Sequence, residues 1–445
     1  MKKSIVRVLH ITPHLGGGVG RVLLNYFLKV KKDFSYAHSL ACLDYANDQA
    51  VKIAKNANFP LFDKISKNKQ KLLNLIADSD IVLIHWWNHP LLYDFLVRQT
   101  LPPSRVIFWS HISGFNPPCN FTKKILQYPD IFVFTTPVSF KTKEVKNLSI
   151  KDKKKFQVIW STGGVETFKS IKPKKHSGFN IGYIGTVDYA KIHPNFLSIC
   201  KQINIPRVKF IVCGGPNENI IKKEAEKLGI AKKFIFTGHV SNVKYYLSIF
   251  DVFGYPLAPY HYGTCDQTLQ EAMAAGVVPV VLANPMERYM VKNGVTGIVA
   301  KNKNEYAKAV RSLYNNKVLR NSLSRKAKEY ALKTFSINTM NRQWKTIFKK
   351  ILTLPKTQKS WMISNKNKLS AADVFLESLG DYGKIFTSFS QAQSKNERTE
   401  TIKKISKLKQ SNIWKANTRG TAHHYHSFFP NDQHLYQWSQ LMKKV

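Results

Sequence analysis

What most constrains this chain is a rhythm of short apolar runs, each followed by a stretch of helical period, that starts, breaks and starts again. The first set reads "SIVRVLHIT", "HSLACL", "DIVLIHW", "RVIFWS", "IFVFTT" and "FQVIWS". Between these runs lie amphipathic segments such as "VGRVLLNYFLKVKK", with apolar side chains at 22, 23, 26, 27 and 30, the spacing of one helix face. A Lys/Pro/Gly/Ser stretch, "KSIKPKKHSG", interrupts the rhythm, and it resumes with "FNIGYIG", "VKFIVCGG", "FIFTGHV", "DVFGYPL", "VVPVVL" and "GIVA". Continuous apolar runs separated by helices are the pattern of a parallel sheet covered on both faces. The reading is therefore α/β, two doubly wound domains in tandem: 1–168, a linker at 169–178, and 179–335. From about Lys303 to Leu354 the pattern turns helical. The remainder of 336–445 is expected to hold a helix crossing back and an irregular extension, whose aromatic end "GTAHHYHSFFPNDQHLYQWSQLM" must pack on the body.

Composition narrows the class. The chain has 445 residues, 43% of them apolar, enough for two full cores. No apolar run approaches the roughly 18 residues of a membrane-spanning helix. The N-terminal run is short and interrupted by Arg7, so it reads as a first strand and not as a signal peptide. Five scattered cysteines without paired spacing fit a reducing cytoplasm and suggest no metal site. The formal charge is +42, from 69 Lys+Arg against 27 Asp+Glu. Solvated lysine faces, an anionic membrane leaflet and nucleic acid all fit such a charge, though no nucleic-acid motif supports the last. His423, His424 and His426 lack a spaced partner set and read as packing residues. "DSD" at 78–80 reads as a turn at a helix end, not a metal motif. No bound metal is expected.

Three stretches carry chemistry. In "HLGGGVGR", Gly16, Gly17 and Gly18 let backbone approach a ligand where a helix N-terminus offers free N–H groups to phosphate. The G-x-G-x-x-G spacing of dinucleotide sites fails, because Arg21 stands where the third glycine belongs, although Asp44 follows the second strand as a ribose-binding acid would. In "IGYIGTVDYAKIHPNF", Lys191 is placed at the start of the next helix, where it can neutralise a diphosphate. In "YHYGTCDQTLQEAMAAGVVPVVL", Gln267 to Ala275 reads as a helix stopped by Gly276. Asp266 could cap that helix. Glu271 could not, and a buried carboxylate needs a partner such as vicinal hydroxyls.

"QEAMAAGVVPVV", with "FIFTGHV" upstream and "NGVTGIVA" downstream, resembles the donor domain of GT-B glycosyltransferases of family 4, the retaining nucleotide-sugar enzymes. The likeness runs from the glycine loop to about residue 350. It implies a GT-B fold: two Rossmann-like domains facing a cleft, the first for acceptor and the second for donor, plus a helical C-terminal extension. By the same likeness Glu271 would bind the donor ribose, Lys191 the diphosphate, and Gly16 to Gly18 the phosphate and sugar. His111, in "WSHISG", would stand near the reacting sugar, Gly238, His239 and Val240 against the base, and Thr268 and Leu269 beside the donor.

Two positions depart from the family pattern. Eight residues before Glu271 the family has a glutamate and this chain has Gly263, so Asp266 is taken as the substitute. The family's arginine after the strand-end glycine is Thr186 here. The implied function is transfer of a sugar, with retention and without a cofactor or metal, from a nucleoside-diphosphate sugar to a glycan or lipid-linked hydroxyl acceptor. Cell-surface polysaccharide synthesis on the inner membrane face is the implied setting. A nicotinamide-dependent oxidoreductase, or a catalytically weakened sugar- or nucleic-acid-binding protein, are the rival readings.

Overall fold

The computed structural model describes residues 5–361, 363 and 368–443. Met1–Ser4, of which Ser4 was read as the start of the first strand, lie outside the described residues. The chain divides into two compact units, 1–159 together with 341–445, and 160–340. Each is built on one parallel sheet.

In the first unit seven strands run, from edge to edge, Phe156–Val158, Ile131–Phe134, Val106–Ser110, Ile81–Trp86, Val6–Leu15, Tyr36–Ala46 and Leu61–Phe62. Every pairing is parallel. The central strand Ile81–Trp86 is buried at all six positions, which is why its sequence shows no polar alternation. Helix Gly17–Val30 buries Val22, Leu23, Tyr26, Phe27 and Val30, the face marked out by their spacing. Helix Ile337–Leu352 adds its later turns to this unit, with Trp344 against Trp109 at 5.0 Å between ring centroids and Phe348 against Tyr36 at 5.4 Å.

The described part of the C-terminal extension is helical, as the fold expectation had it, and not the irregular segment that its polar composition suggested. Its helices are Ala371–Leu379, Gly383–Gln391, Lys395–Leu408, Ala422–Phe428 and Gln433–Lys443. Two of these start with reciprocal capping, Ser370 with Asp373 and Ser394 with Glu397, a local signal that polar composition concealed. Their shared core is aromatic: Phe375 lies 5.3 Å from Phe386, 5.1 Å from Tyr425 and 5.7 Å from Trp438. The extension is also tied to the sheet-bearing part of its unit. Asn120 donates to the Leu379 carbonyl at 3.1 Å, and the His424 ring meets His89 at 5.0 Å. Of the clustered histidines, His424 is thus a packing residue, and His426 lies against Tyr436.

The second unit has six parallel strands in the order Phe234–Gly238, Val208–Cys213, Phe179–Ile184, Val252–Tyr255, Val278–Leu282 and Ile298–Ala300. Counted along the chain this is 3-2-1-4-5-6, the doubly wound order in which the direction of winding reverses beside the first strand. Helices Lys303–Asn315 and Lys317–Thr334 help cover it through Tyr306, Val310, Leu313, Leu323 and Ala327. All five cysteines are free and buried. No described helix is long and apolar enough to cross a membrane.

Because the extension has its own aromatic centre, Phe386→Ala is expected to cost about 3–5 kcal/mol. Chemical denaturation should show the loss, and an unchanged midpoint would mean that the extension does not share in the cooperative core of its unit.

Candidate functional site

In an open parallel sheet the loops at the carboxyl ends of the strands part where the strand order reverses, and a crevice forms there. In the second unit that point lies between Phe179–Ile184 and Val252–Tyr255. The loops leaving these strands carry Gly185 to Lys191 and Pro256 to Asp266. The sequence candidates Lys191 and Asp266 therefore meet at the place where topology opens a site.

Lys191 is 8% exposed, and its Nζ lies 2.9 Å from Asp266 Oδ1 and 5.6 Å from the centre of the Tyr255 ring. Burial works against a charged ammonium. Burial is the largest single influence, but the Asp266 carboxylate and the Tyr255, Tyr183 and Tyr262 hydroxyls together outweigh it, and the Lys191 pKa is raised. The lysine is not at a helix start, as its sequence position had suggested. The next helix is Phe196–Gln202, and Lys191 sits in the loop before it. There its own backbone holds it: its N–H donates to Asp188 O at 2.8 Å and its carbonyl accepts from Ala258 N–H at 2.8 Å. A lysine fixed in this way is a preorganised cation, with its conformational entropy already lost on folding.

Asp266 stands at the N-cap position of helix Gln267–Ala275, but its side chain makes no capping bond. Its carboxylate is turned instead toward Lys191 and toward Gly263. A Cβ at position 263 would lie 2.8 Å from Asp266 Oδ2 and 2.9 Å from His261 Nδ1. The space next to residue 263 is thus filled by the carboxylate from 266, which is why glycine stands there. Gly276 stops the helix in the left-handed region, at φ 83°. Glu271 is 2% exposed on the same helix, and Leu269 is fully buried in the core. Thr268 is half-buried.

Behind this pair is a second buried one that sequence reasoning missed. Gly263 N–H donates to His261 Nδ1 at 3.0 Å, which leaves the Nε2–H to donate to Glu287 at 3.2 Å. His261, Asp266 and Glu287 bring a ring nitrogen and two carboxylate oxygens within 4.8 Å of one another, the one such metal-capable group among the described residues. The 25 residues between His261 and Glu287, numbers 266 and 271 among them, give no ligand spacing to read. Thr186, standing for the family arginine, accepts a hydrogen bond from the Tyr262 hydroxyl at 3.3 Å.

The other end of the crevice is backbone. Gly214 N–H donates to Gly238 O at 2.7 Å, Val187 N–H to Gly215 O at 2.8 Å, and the Asn217 amide to Asp188 Oδ2 at 2.6 Å. These bonds join the strand ends that carry Thr186–Asp188, Gly214–Asn217 and Gly238–Val240. His239 is exposed and Val240 half-buried. The Gly-Gly-Pro-Asn turn at 214–217 was overlooked as a site element, and its paired glycines at a strand end were the signal.

In the first unit the strand order also reverses, between Val6–Leu15 and Ile81–Trp86. Helix Gly17–Val30 opens there at Gly16 with no side-chain cap, so Gly16, Gly17 and Gly18 form a backbone-lined helix start. A Cβ on Gly16 would lie 2.7 Å from the Tyr45 hydroxyl. His111 follows strand Val106–Ser110, and its backbone N–H donates to Trp86 O at 2.8 Å. Burial of the ring pulls its pKa down to about 3, so at neutral pH it is an uncharged imidazole.

Residues 165–330 match the profile of the family described as glycosyl transferases group 1. No curated protein is significantly similar in sequence. Among solved structures, a glycosyltransferase from Rickettsia africae superposes with TM-score 0.62 at 14% identity, covering 78% of this chain and 99% of its own. Anabaena HepE in complex with UDP gives 0.61 at 13% identity, over 78% and 100%. Sucrose-phosphate synthase from Thermosynechococcus elongatus gives 0.58 at 13%, over 78% and 99%. The fold is that of the GT-B glycosyltransferases, as the sequence resemblance implied.

Asp266→Asn leaves the Lys191 ammonium buried and uncompensated and is expected to destabilise the protein by about 3–5 kcal/mol, whereas Lys191→Met with Asp266→Leu recovers most of that loss. Denaturation of the single and double variants measures both. The buried histidines set a pH limit. His111 is lowered to about 3, and His38 and His14 to about 4, in each case first by burial. The unfolded chain binds protons near pH 6.5 and the folded one only below 4. Stability is therefore full above pH 6.5 and falls as the pH drops from 6.5 toward 4, and melting temperatures across that range should show the decline.

Proposed function

We propose that this chain, a glycosyltransferase by its group 1 segment and its GT-B fold, moves a sugar with retention from a nucleoside-diphosphate sugar to a hydroxyl acceptor. The observation that carries the reading is the buried Lys191–Asp266 pair at the reversal point of the second sheet, with Glu271 on the helix that Asp266 begins. In this reading the loops Thr186–Asp188 and Gly214–Asn217 hold the phosphates. Gly238, His239 and Val240 lie against the base, and the Glu271 carboxylate accepts from the ribose hydroxyls. Thr268 and Leu269 support the donor end of the helix.

The chemical difficulty in such a transfer is the negative charge that grows on the diphosphate as the glycosidic bond breaks. A cation already desolvated and held at that place stabilises the leaving group without reorganising at the moment of reaction. Lys191 is such a cation, and its raised pKa keeps it charged through neutral pH. Asp266 orients the ammonium and offers its second oxygen to a sugar hydroxyl. That role replaces the glutamate that the family pattern puts at position 263. No metal is required in this scheme. The solved relatives bound to UDP and to UDP-glucose make a uridine donor the first to try.

The first unit would supply the acceptor site. His111, as a neutral imidazole, would hydrogen-bond the reacting sugar, and Gly16 to Gly18 would close over phosphate and sugar. A charge of +42 suits an acceptor at an anionic leaflet, such as a lipid-linked glycan precursor of a cell-surface polysaccharide.

UDP is expected to raise the melting temperature, by a stabilisation of about 2.7 kcal/mol at a hundredfold excess over its Kd. Glu271→Gln should weaken that shift, and a shift from NAD and not from nucleoside diphosphates would sink the reading. With a donor in hand, His111→Ala should lower kcat more than it raises the donor KM, and equal changes in both would remove His111 from the reacting sugar.

A further inference from the structure

Four histidines of the first unit form one hydrogen-bonded row across its sheet. His38 comes from strand Tyr36–Ala46, His10 from Val6–Leu15, His85 from Ile81–Trp86, and His111 follows Val106–Ser110. These four strands are consecutive neighbours in the sheet. His38 Nδ1 lies 3.0 Å from His10 Nε2, His10 Nδ1 lies 3.0 Å from His85 Nε2, and His85 Nδ1 lies 3.2 Å from His111 Nε2. The first three rings are 7%, 0% and 0% exposed, and His111 stands at the partly exposed end.

The distances impose a rule. A neutral imidazole has one N–H and one lone pair, on opposite nitrogens. At 3.0 Å each nitrogen pair shares one proton, one member donating and the other accepting. His10 and His85 use both nitrogens inside the row. If His38 Nδ1–H donates to His10, then His10 must donate from Nδ1 to His85, and His85 from Nδ1 to His111, whose own proton is then on Nδ1. If His111 donates from Nε2, every ring in turn carries its proton on Nε2. The row allows two arrangements only, all Nδ1–H or all Nε2–H, and a mixed row breaks a buried hydrogen bond.

We propose that His38, His10 and His85 are positioning residues that fix the tautomer of His111, and so decide whether its outward Nδ1 presents a donor or an acceptor to the reacting sugar. This rests on the role given to His111 above. The surroundings suit a row of neutral rings. His10 is flanked by Tyr26 and Phe27, His38 by Tyr36 and Phe348, and His85 and His111 by Trp109, with Trp87 also against His111. The one carboxylate whose charge acts on the row is Asp33, at the His38 end, and it is ion-paired to Lys345 at 2.6 Å. Burial lowers the pKa of all four rings, so the row stays uncharged at neutral pH. Hydrogen bonds arranged head to tail polarise one another, which strengthens the choice of one arrangement over the other.

The test is long-range proton–nitrogen NMR of the full-length protein labelled with ¹⁵N-histidine, which reads the tautomer of each ring and needs no activity. The expected result is a single tautomer shared by His38, His10, His85 and His111. His38→Leu, three rings from His111, should shift the His111 ring-nitrogen signals, and His38→Asn, which can still donate to His10, should restore them. Once a donor is known, His38→Leu should lower kcat about five- to tenfold with the donor KM unchanged. Mixed tautomers in the unaltered protein overturn the relay even if His38→Leu does not fold. Unmoved His111 signals in a folded His38→Leu overturn it too. Shifted signals with an unchanged kcat remove its part in the reaction. If no donor is found, the glycosyltransferase reading fails while the NMR result still decides whether the row is coupled.

Discussion

Parallel strands cannot be joined by hairpins, so each must return through a crossover that covers one face of the sheet. When successive crossovers change direction, adjacent loops leave on opposite faces and a crevice opens between them. The second unit makes that change between Phe179–Ile184 and Val252–Tyr255, and the first between Val6–Leu15 and Ile81–Trp86. Lys191, Asp266, the glycine loop and His111 lie in the segments that follow strand ends, and Glu271 lies on the helix that Asp266 begins, so the winding of two sheets accounts for where these candidates sit.

What fills the crevice of the second unit is a set of buried polar and charged groups that answer one another. Lys191 with Asp266 and His261 with Glu287 place two partnered acids where either alone would be costly. Such pairs add little to stability compared with apolar packing of the same volume. Their value is direction: an ammonium held by a carboxylate and by its own backbone bonds has one place to be. The first unit solves a related problem with neutral groups. Its four histidines satisfy each other by hydrogen bonds within a wall of aromatic rings, and no charge need be buried.

The likeness to solved glycosyltransferases lies between 12% and 17% identity, so it reports the fold and little of the detail. The details here are this chain's own. Asp266 fills the space beside Gly263, Tyr262 donates to Thr186, and the C-terminal extension packs helices and the His424 ring onto the first unit. Relatives matched over nearly their whole length cover 78% of this chain, which leaves a stretch about the size of that extension without a counterpart.

Much was legible beforehand because it depends on neighbours in sequence. Strand runs such as "DIVLIHW", the apolar face of Gly17–Val30, and the Gln267–Ala275 helix with its Gly276 stop follow from period, propensity and a left-handed cap. Glu271 stood out because a carboxylate among "LQ" and "AMAAG" has no local use. The extension was read as irregular because polar composition hid two capping boxes, whose reciprocal bonds cost nothing in hydrophobicity. Lys191 was placed on a helix because the loop that holds it is closed by Ala258, 67 residues on. His10, His38 and His85 lie in three different strands and each reads as an ordinary core residue, and only strand order and register bring their nitrogens to 3.0 Å. Local sequence determined the elements and the acids worth watching. Tertiary structure alone decided which charges pair and which rings share a proton, since those contacts join residues separated by tens of positions and depend on how the sheets are wound.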